Sequence, residues 1–98
     1  MTIQSFKNQA TEDINYGHAS KAALKLLPAQ LHRQAQIKLA RLGAVSSMQD
    51  LQEIRGNRLE VLRGDRKGQY SIRINDQYRL CFKWRGEQAY EVEVVDYH

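Results

Sequence analysis

The second half of the chain alternates apolar and polar residues with a period of two, which is typical of strands. Three stretches follow this pattern with their apolar residues on one face: Tyr70, Ile72 and Ile74, then Tyr78, Leu80, Phe82 and Trp84, and finally Tyr90, Val92 and Val94. Residues 58–62 form a shorter candidate strand, and two glycines bound the segment 64–68, which is typical of a turn. The pattern predicts an antiparallel meander with one apolar face.

The first half of the chain instead follows the 3.6-residue period of a helix. Pro28 suits the first helical position, where its missing N–H group costs nothing. The apolar residues that follow it fall on one stripe: Leu31, Ala35, Leu39, Leu42 and Val45. This spacing predicts a helix over residues 28–44. Residues 3–6 are predicted as a short strand and residues 11–16 as a helical turn. Residues 20–27 fit either a loop or a helix, and residues 46–50 fit a turn that opens a further helical turn.

The two halves together imply one α+β domain over residues 1–98, with N-terminal helices packed on a small antiparallel sheet. A chain of 98 residues has the usual size of a single domain. The helix stripe must be buried against another apolar surface, and the apolar face of the sheet is the large surface available.

The distribution of charge is more informative than the net charge of +4. Residues 17–49 contain five lysines and arginines and no aspartate or glutamate, and residues 55–85 contain nine basic and three acidic residues. Such asymmetry favours a polyanionic partner such as a nucleic acid. The alternative is that basic side chains only keep a small protein in solution.

The cellular compartment is predicted from the cysteine count and from the lack of long apolar segments in the sequence. Cys81 is the single cysteine, so an internal disulfide is excluded and no zinc-ligand spacing appears. The sequence has no apolar run of membrane-spanning length and no apolar signal segment in residues 1–15. We therefore expect a cytoplasmic protein without a membrane partner.

The alternation also fixes a strand register that brings two arginines together. A three-residue connection over residues 75–77 pairs Ile74 with Tyr78 and places Arg73 opposite Arg79. Like charges directly opposite each other destabilise a sheet. Two compensations remain open. Acidic residues of the next strand, Glu91 and Glu93, neutralise Arg79 and Lys83, or the face binds an anionic ligand.

Several further side chains favour the ligand. We expect an open sheet face that gathers hydrogen-bond donors around the arginines, with Arg63, Ser71 and Asn75 among them. Guanidinium groups match the geometry of phosphate. Three groups that move protons or hold a phosphate then follow the last strand: Asp96, Tyr97 and His98. Arginines beside such groups favour RNA chemistry.

Four segments together resemble one known family: residues 62–68, 70–72, 78–82 and 95–98. They look like HigB toxins of the RelE/ParE superfamily of bacterial type II toxin–antitoxin systems, and residues 5–7 fit as well. The resemblance implies a toxin that cleaves mRNA on the translating ribosome, with two N-terminal helices on a short antiparallel sheet. It also implies a helix-turn-helix (HigA-like) antitoxin that represses the operon together with the toxin. No metal or other cofactor is expected.

The resemblance assigns roles to residues of the proposed catalytic site. Arg63 and Arg79 would stabilise the charge that develops on the phosphate. His98 would act as acid or base near neutral pH, and Asp96 would orient it. Tyr97 would stack on a base or donate a hydrogen bond, or it caps the edge of the core. RNA contacts are expected from a further group: Arg66, Lys67, Ser71, Arg73, Asn75 and Lys83.

Some of these assignments have alternatives. Arg73 is inferred from the strand register and not from the family motif, and Arg66 is also interpreted as a structural residue of its turn. The histidines of the helical half, His18 and His32, are interpreted as surface residues.

Glu60 departs from the family pattern. Members that cut strongly carry a histidine at this position. Glu60 would serve as the base, but it would also repel phosphate, which implies a slower or differently tuned nuclease. Alternatively it pairs with Arg58 or Arg63.

Two other functions remain open at this point. One is a non-catalytic growth inhibitor like the gyrase-poisoning ParE branch, which would not need proton-transfer groups. The other is a module whose main task is to form a repressor complex with an antitoxin. Full pairing of Arg73 and Arg79 with acidic residues would support the second.

Overall fold

Helices come first and an antiparallel sheet second in the computed structural model, which describes residues 2–54 and 56–96. The helices are α1 (Gln9–Asn15), α2 (Lys21–Leu26), α3 (His32–Ala44) and α4 (Met48–Glu53). The strands are β1 (Glu60–Val61), β2 (Gln69–Arg73), β3 (Tyr78–Arg85) and β4 (Gln88–Asp96), and they lie in the order β1-β2-β3-β4. The predicted α+β fold with a meander is confirmed.

The long predicted helix begins later than Pro28. Residues Ala29–Leu31 form a single 3₁₀ turn, and the α-helix starts at His32. The ψ angle of 142° at Pro28 is extended, so this residue precedes the first turn and does not occupy the first helical position. The predicted stripe is buried, and Ala35, Leu39 and Leu42 pack in the core.

His32 contradicts its assignment to the surface. The side chain is buried at the start of α3, and its Nε2 lies 2.8 Å from the carbonyl oxygen of Leu27. The residue therefore ties the first turn of α3 to the end of α2. His18 is exposed in the loop before α2, as predicted.

The short helices α1, α2 and α4 are each capped by the side chain of the residue that precedes them. Asn8, Ser20 and Ser47 each accept a hydrogen bond from the backbone N–H three residues further on. Side-chain oxygens at this position satisfy backbone donors that lack a partner within the helix. The capping serine resolves the ambiguous segment 20–27 as a helix.

The core lies between the helices and one face of the sheet. Fully buried side chains from both layers meet there: Ile14, Leu39, Leu42, Ile72, Leu80, Phe82 and Val92. Tyr70 and Trp84 pack at the margin against Phe82, with ring centroids 6.3 Å from it in each case. Among the described residues, no helix is both long and apolar enough to span a bilayer.

A bulge in β4 changes the predicted alternation. Glu91 has a positive φ of 50°, and the register with β3 shifts by one residue at this point. The hydroxyl oxygen of Ser5 accepts the N–H of Glu91 at 2.9 Å, which stabilises the bulge. Tyr90 consequently pairs with Lys83 on the face away from the helices, so its predicted place on the apolar face is wrong.

Both predicted outer strands are shorter than expected. Residues 3–6 make only isolated parallel bridges to β4, from Ile3 to Ala89 and from Phe6 to Val92. Strand β1 is reduced from residues 58–62 to two residues, because Arg58 adopts a left-handed φ of 45° that turns the chain away from the sheet.

Candidate functional site

The sheet face that points away from the helices, called the outer face from here on, carries the predicted arginines. Paired residues across the four strands share this face: Glu60, Ser71, Cys81 and Glu93 in one row, and Arg73, Arg79 and Val95 in the next. The predicted opposition of Arg73 and Arg79 is confirmed. The predicted pairing of Ile74 with Tyr78 across residues 75–77 is also confirmed, since the backbone N–H of Ile74 bonds to the carbonyl of Tyr78.

Arg79 is buried, which contradicts the expectation of an open face at this point. The residue is 8% exposed, and its Nε donates to the Oγ of Ser71 at 2.7 Å. Its Nη2 donates to the carbonyl oxygen of Arg58 and lies 3.4 Å from that of Ser71. The positive φ of Arg58 places its carbonyl where it accepts this bond. Arg79 is therefore held by neutral acceptors in a fixed orientation.

Glu60 stands at the accessible end of this guanidinium. Its Oε1 lies 3.9 Å from the Nη1 of Arg79, and its side chain is 54% exposed. The predicted pairing of Glu60 with Arg58 or Arg63 is replaced by this contact. A buried guanidinium next to an exposed carboxylate combines a fixed positive charge with a group that can accept a proton.

The guanidinium groups of the two opposing arginines bind different partners. The Nη2 of Arg73 pairs with Oδ1 of Asp76 in the β2–β3 connection, while Arg79 turns toward Ser71 and Glu60. Acidic residues near the arginines therefore compensate the like charges. These acids come from the β2–β3 connection and from β1, and not from β4 as predicted.

The acidic residues of β4 have other partners. Glu91 pairs with Lys83 at 2.6 Å, as predicted, and the Lys83 hydrogen bond and charge hold the pKa of Glu91 below its usual value. Glu93 is buried and pairs at 3.2 Å with Lys7 and with Arg66. Of the cross-strand pairing proposed as one alternative, the part with Lys83 is therefore present, and neither glutamate pairs with Arg79.

Two basic residues around Glu93, Lys7 and Arg66, were not expected there from the sequence pattern. Lys7 reaches Glu93 because the N-terminal segment runs beside β4. Arg66 reaches Glu93 from the turn after β1, and it also donates to the Oε1 of Gln69 at 3.2 Å. Cys81 lies fully buried opposite Glu93, and burial raises the pKa of its thiol. Alternation in β3 and β4 was the signal that could have placed Cys81 and Glu93 together.

Three of the predicted residues lie apart from Arg79. Arg63 and Lys67 are exposed on either side of the 3₁₀ turn Gly64–Arg66, and neither side chain forms an ion pair within residues 2–54 and 56–96. The Oδ1 of Asn75 accepts from the backbone N–H groups of Gln77 and Tyr78, at 2.9 and 2.7 Å. Asn75 is therefore a turn residue whose oxygen is occupied.

The predicted C-terminal groups are only partly described. Asp96 pairs with Tyr78, whose side chain lies in the core, so Asp96 projects toward the helix side of the sheet and not toward Arg79. Its Oδ2 accepts from the Nε2 of Gln77 at 3.2 Å. Tyr97 and His98 lie outside the described residues. Within the described part of the chain, no three His, Cys, Asp or Glu side chains are grouped as a metal site.

Sequence comparison identifies similar proteins. A family model described as the RelE-like toxin of the type II toxin–antitoxin system HigB matches residues 5–98. Toxin HigB-1 of Vibrio cholerae serotype O1 is 43% identical over 60 residues, which are 61% of this chain and 63% of that protein. An uncharacterised protein of Haemophilus influenzae is 34% identical over 63 residues, or 64% and 62% of the two chains. The matched segments thus span less than two thirds of either relative.

Solved structures share the fold at lower sequence identity. The YoeB–YefM complex from Staphylococcus aureus contains a chain that matches with a TM-score of 0.60 and 22% identity, covering 100% of this chain and 97% of that one. A YoeB/ParE toxin from Agrobacterium tumefaciens matches with a TM-score of 0.55 and 16% identity, covering 100% and 99%. These matches establish a common arrangement of helices and sheet.

Proposed function

The chain belongs to the RelE-like HigB toxins of type II toxin–antitoxin systems, and we propose that it is an endoribonuclease that cleaves mRNA on the translating ribosome. The observation that carries this proposal is the contact between Arg79 and Glu60 on the outer face. Cleavage by the 2′-hydroxyl of RNA requires a proton acceptor and a positive charge at the phosphate. Glu60 and Arg79 supply these two groups side by side.

The proposed reaction is an internal transfer at phosphorus. The 2′-oxygen forms a bond to phosphorus and gives its proton to Glu60, while the bond to the 5′-oxygen breaks. The products are a 2′,3′-cyclic phosphate and a free 5′-hydroxyl, and the proton that the 5′-oxygen needs comes from His98 acting as the acid. No metal takes part in this scheme.

Arg79 stabilises the negative charge that grows on the non-bridging oxygens. Ser71 and the carbonyl of Arg58 fix the guanidinium before the substrate arrives, so little reorganisation is needed during the reaction. A preorganised donor of this kind is commonly worth about 10²–10³ in rate. Glu60 is half exposed, which leaves room for the ribose of a substrate beside Arg79.

Other residues would guide the RNA to this pair. Arg63 and Lys67 are exposed beyond the end of β1 and are proposed to contact backbone phosphates of the RNA away from Arg79. We further propose roles in RNA binding for Arg66, Arg73 and Lys83, which exchange their present carboxylate partners for phosphates. Ser71 acts by holding the guanidinium of Arg79, and Asn75 acts by holding the backbone of the β2–β3 connection. Asp96 orients His98, and Tyr97 stacks on a base of the mRNA.

A protein partner is also proposed. The similar chain from Staphylococcus aureus was solved in a complex described as a YoeB–YefM toxin–antitoxin heterotetramer. We propose that this toxin is likewise neutralised by a cognate antitoxin, of the helix-turn-helix, HigA-like type. The toxin would then act in the cytoplasm, where mRNA and ribosomes are found.

A second function is favoured by one specific observation. Arg73 pairs with Asp76 and Arg79 contacts Glu60, so both arginines have acidic neighbours. Such pairing is expected of a module that mainly binds an antitoxin and helps it to repress the operon. This alternative predicts normal repression without toxicity when the protein is expressed alone.

The test uses purified toxin and one mRNA, either free or bound to programmed ribosomes. Cuts that appear only on ribosomes, and that leave 2′,3′-cyclic phosphate ends, support the proposal. A 2′-deoxy substitution at the cleaved nucleotide removes the nucleophile and should abolish that cut while neighbouring cuts continue. The absence of cuts from a toxin that still arrests growth would overturn the nuclease function.

A further inference from the structure

Lys38 is a lysine of α3 whose ammonium group is buried in the protein. The residue is 8% exposed, and its Nζ donates to the carbonyl oxygen of Gly56 and to the Oδ1 of Asn57, at 3.2 Å in each case. No aspartate or glutamate in the described part of the chain forms an ion pair with it. Burial and repulsion from Arg41 and Arg73 lower the pKa of Lys38. Burying a charge without an opposite charge opposes folding.

The two acceptors of Lys38 belong to the loop that leads into β1. Asn57 is fully buried and connects two further elements of the structure. Its Nδ2 donates to the carbonyl of Leu51 in α4 at 3.3 Å, and its own carbonyl accepts the N–H of Arg73 in β2 at 2.6 Å. The Lys38 amine therefore adds α3 to a junction that already joins α4 and the sheet.

The loop adopts a left-handed backbone conformation at the residues on either side of Asn57. Gly56 has a φ of 84°, and Arg58, which is not a glycine, has a φ of 45°. A left-handed conformation at such a residue persists only where the surroundings fix it. The consequence is functional, because the carbonyl of Arg58 then accepts from the Nη2 of Arg79.

We propose that Lys38 and Asn57 are positioning residues that hold the Arg58 carbonyl, and through it the guanidinium of Arg79, in the orientation used for phosphate. The effect on cleavage rests on the proposed nuclease function, whereas the effect on Arg79 itself does not. The chain of contacts runs from Lys38 in the helical layer through the loop to the outer face.

The first test reads the Arg79 side chain directly by NMR of the isolated toxin. A guanidinium fixed by a bond from Nη2 to a carbonyl rotates slowly, so its Nη protons are expected to give separate signals in the wild type. Assignment uses an Arg79→Lys sample, in which these signals disappear. In Lys38→Met, which keeps most of the unbranched side chain but lacks the amine, we expect averaged Nη signals and faster exchange of the Nε proton.

Matched variants separate positioning from a general loss of structure. Arg41→Met removes a positive charge from the exposed surface of the same helix and should leave the Arg79 signals unchanged. Lys38→Arg retains charge and donors and should restore the separate signals. Asn57→Asp keeps an oxygen acceptor for Lys38 but loses the Nδ2 donor to Leu51, so averaged Arg79 signals are expected in this second variant if Lys38→Met does not fold. Unchanged Arg79 signals in a folded Lys38→Met, or averaged signals in wild type, would overturn the inference.

The second test is the single-turnover cleavage of ribosome-bound mRNA. Misplacement of a catalytic group by about 1 Å costs up to roughly 100-fold in rate. We expect Lys38→Met to lower the maximal rate about 10- to 100-fold without raising the concentration of toxin needed for half-maximal rate. A wild type that does not cleave would refute the proposed function alone, since the NMR result would still decide the positioning of Arg79. An unchanged maximal rate together with averaged Arg79 signals would show that this orientation is not the one used for phosphate, which overturns the catalytic part of the inference.

Discussion

The Oε1 of Glu60 lies 3.9 Å from the Nη1 of Arg79, although the two residues belong to strands β1 and β3, which do not pair with each other. The contact forms across Ser71 of the intervening strand, which pairs with Glu60 and binds the Nε of Arg79. One small buried residue thus allows a carboxylate and a guanidinium from separate strands to meet on the outer face.

Glu60→Gln tests whether this carboxylate accepts the proton of the 2′-hydroxyl. The amide has nearly the same shape but no basic oxygen, so the single-turnover rate on ribosomes should fall about 10²- to 10⁴-fold. The affinity for the ribosome should stay the same, because the surface around Glu60 remains basic.

The matched control for this substitution is Glu87→Gln. Glu87 is an exposed glutamate in the turn between β3 and β4, at the opposite end of the sheet from Arg79, and its substitution should leave the rate unchanged. A Glu60→Gln toxin that cleaves faster than wild type would instead show that Glu60 competes with phosphate for Arg79.

Ser71→Ala tests how far the hydroxyl holds Arg79. The substitution removes the acceptor of the Nε hydrogen bond inside the protein, and an unsatisfied buried donor costs about 1–3 kcal/mol. We expect a loss of unfolding free energy in this range, measured by urea denaturation, together with a lower cleavage rate. Ser46→Ala, at an exposed serine, should change neither quantity, and equal behaviour of the two variants would contradict the role of Ser71.

Cys81 should make the stability of the toxin depend on pH in the alkaline range. Burial raises the pKa of its thiol above the usual value of 9.0, so the folded protein keeps a proton that the unfolded chain releases. The stabilising contribution is complete below pH 9.0 and is lost as the pH rises toward the folded pKa. The wild type should lose up to about 1.4 kcal/mol per pH unit relative to Cys81→Ala above this point.

Denaturation of both proteins by urea at pH 8 and pH 10 measures this difference. The stability gap between wild type and Cys81→Ala should be constant below pH 9.0 and should shift against the wild type above it. Parallel pH curves for the two proteins would show that the thiol is not shielded from solvent. Rapid reaction of the folded wild type with a thiol reagent would lead to the same conclusion.

Much of the fold follows from periodicity in the sequence. The α3 stripe and the alternation in β2 and β3 place the core correctly, because each repeats over several turns or residue pairs. The register that brings Arg73 opposite Arg79 was also predictable, since a shift by one residue would have exposed every apolar side chain.

The errors arise where local backbone geometry overrides the pattern. The positive φ of Glu91 shifts β4 by one residue and moves Tyr90 to the outer face, and the positive φ of Arg58 shortens β1. Neither residue is a glycine, so the sequence gives no local signal for these conformations.

The candidate site was predictable in its residue types but not in its contacts. Arg79, Ser71 and Glu60 were all identified, yet the burial of Arg79 depends on a carbonyl that only the loop conformation places beside it. The partnership of Lys7 with Glu93 joins residues far apart in sequence, through the bridges that the N-terminal segment makes to β4. Side-chain contacts of this kind require the tertiary structure.

The most direct measurement of the central claim is the single-turnover cleavage rate of Arg79→Lys on mRNA-programmed ribosomes at saturating toxin. Lysine keeps the positive charge but cannot bind Ser71 and a phosphate oxygen with the same planar group. If Arg79 stabilises the charge on the phosphate, the rate should fall about 10²- to 10³-fold while binding to the ribosome is unchanged. A rate close to that of wild type, with the variant folded, would show that the charge is stabilised elsewhere.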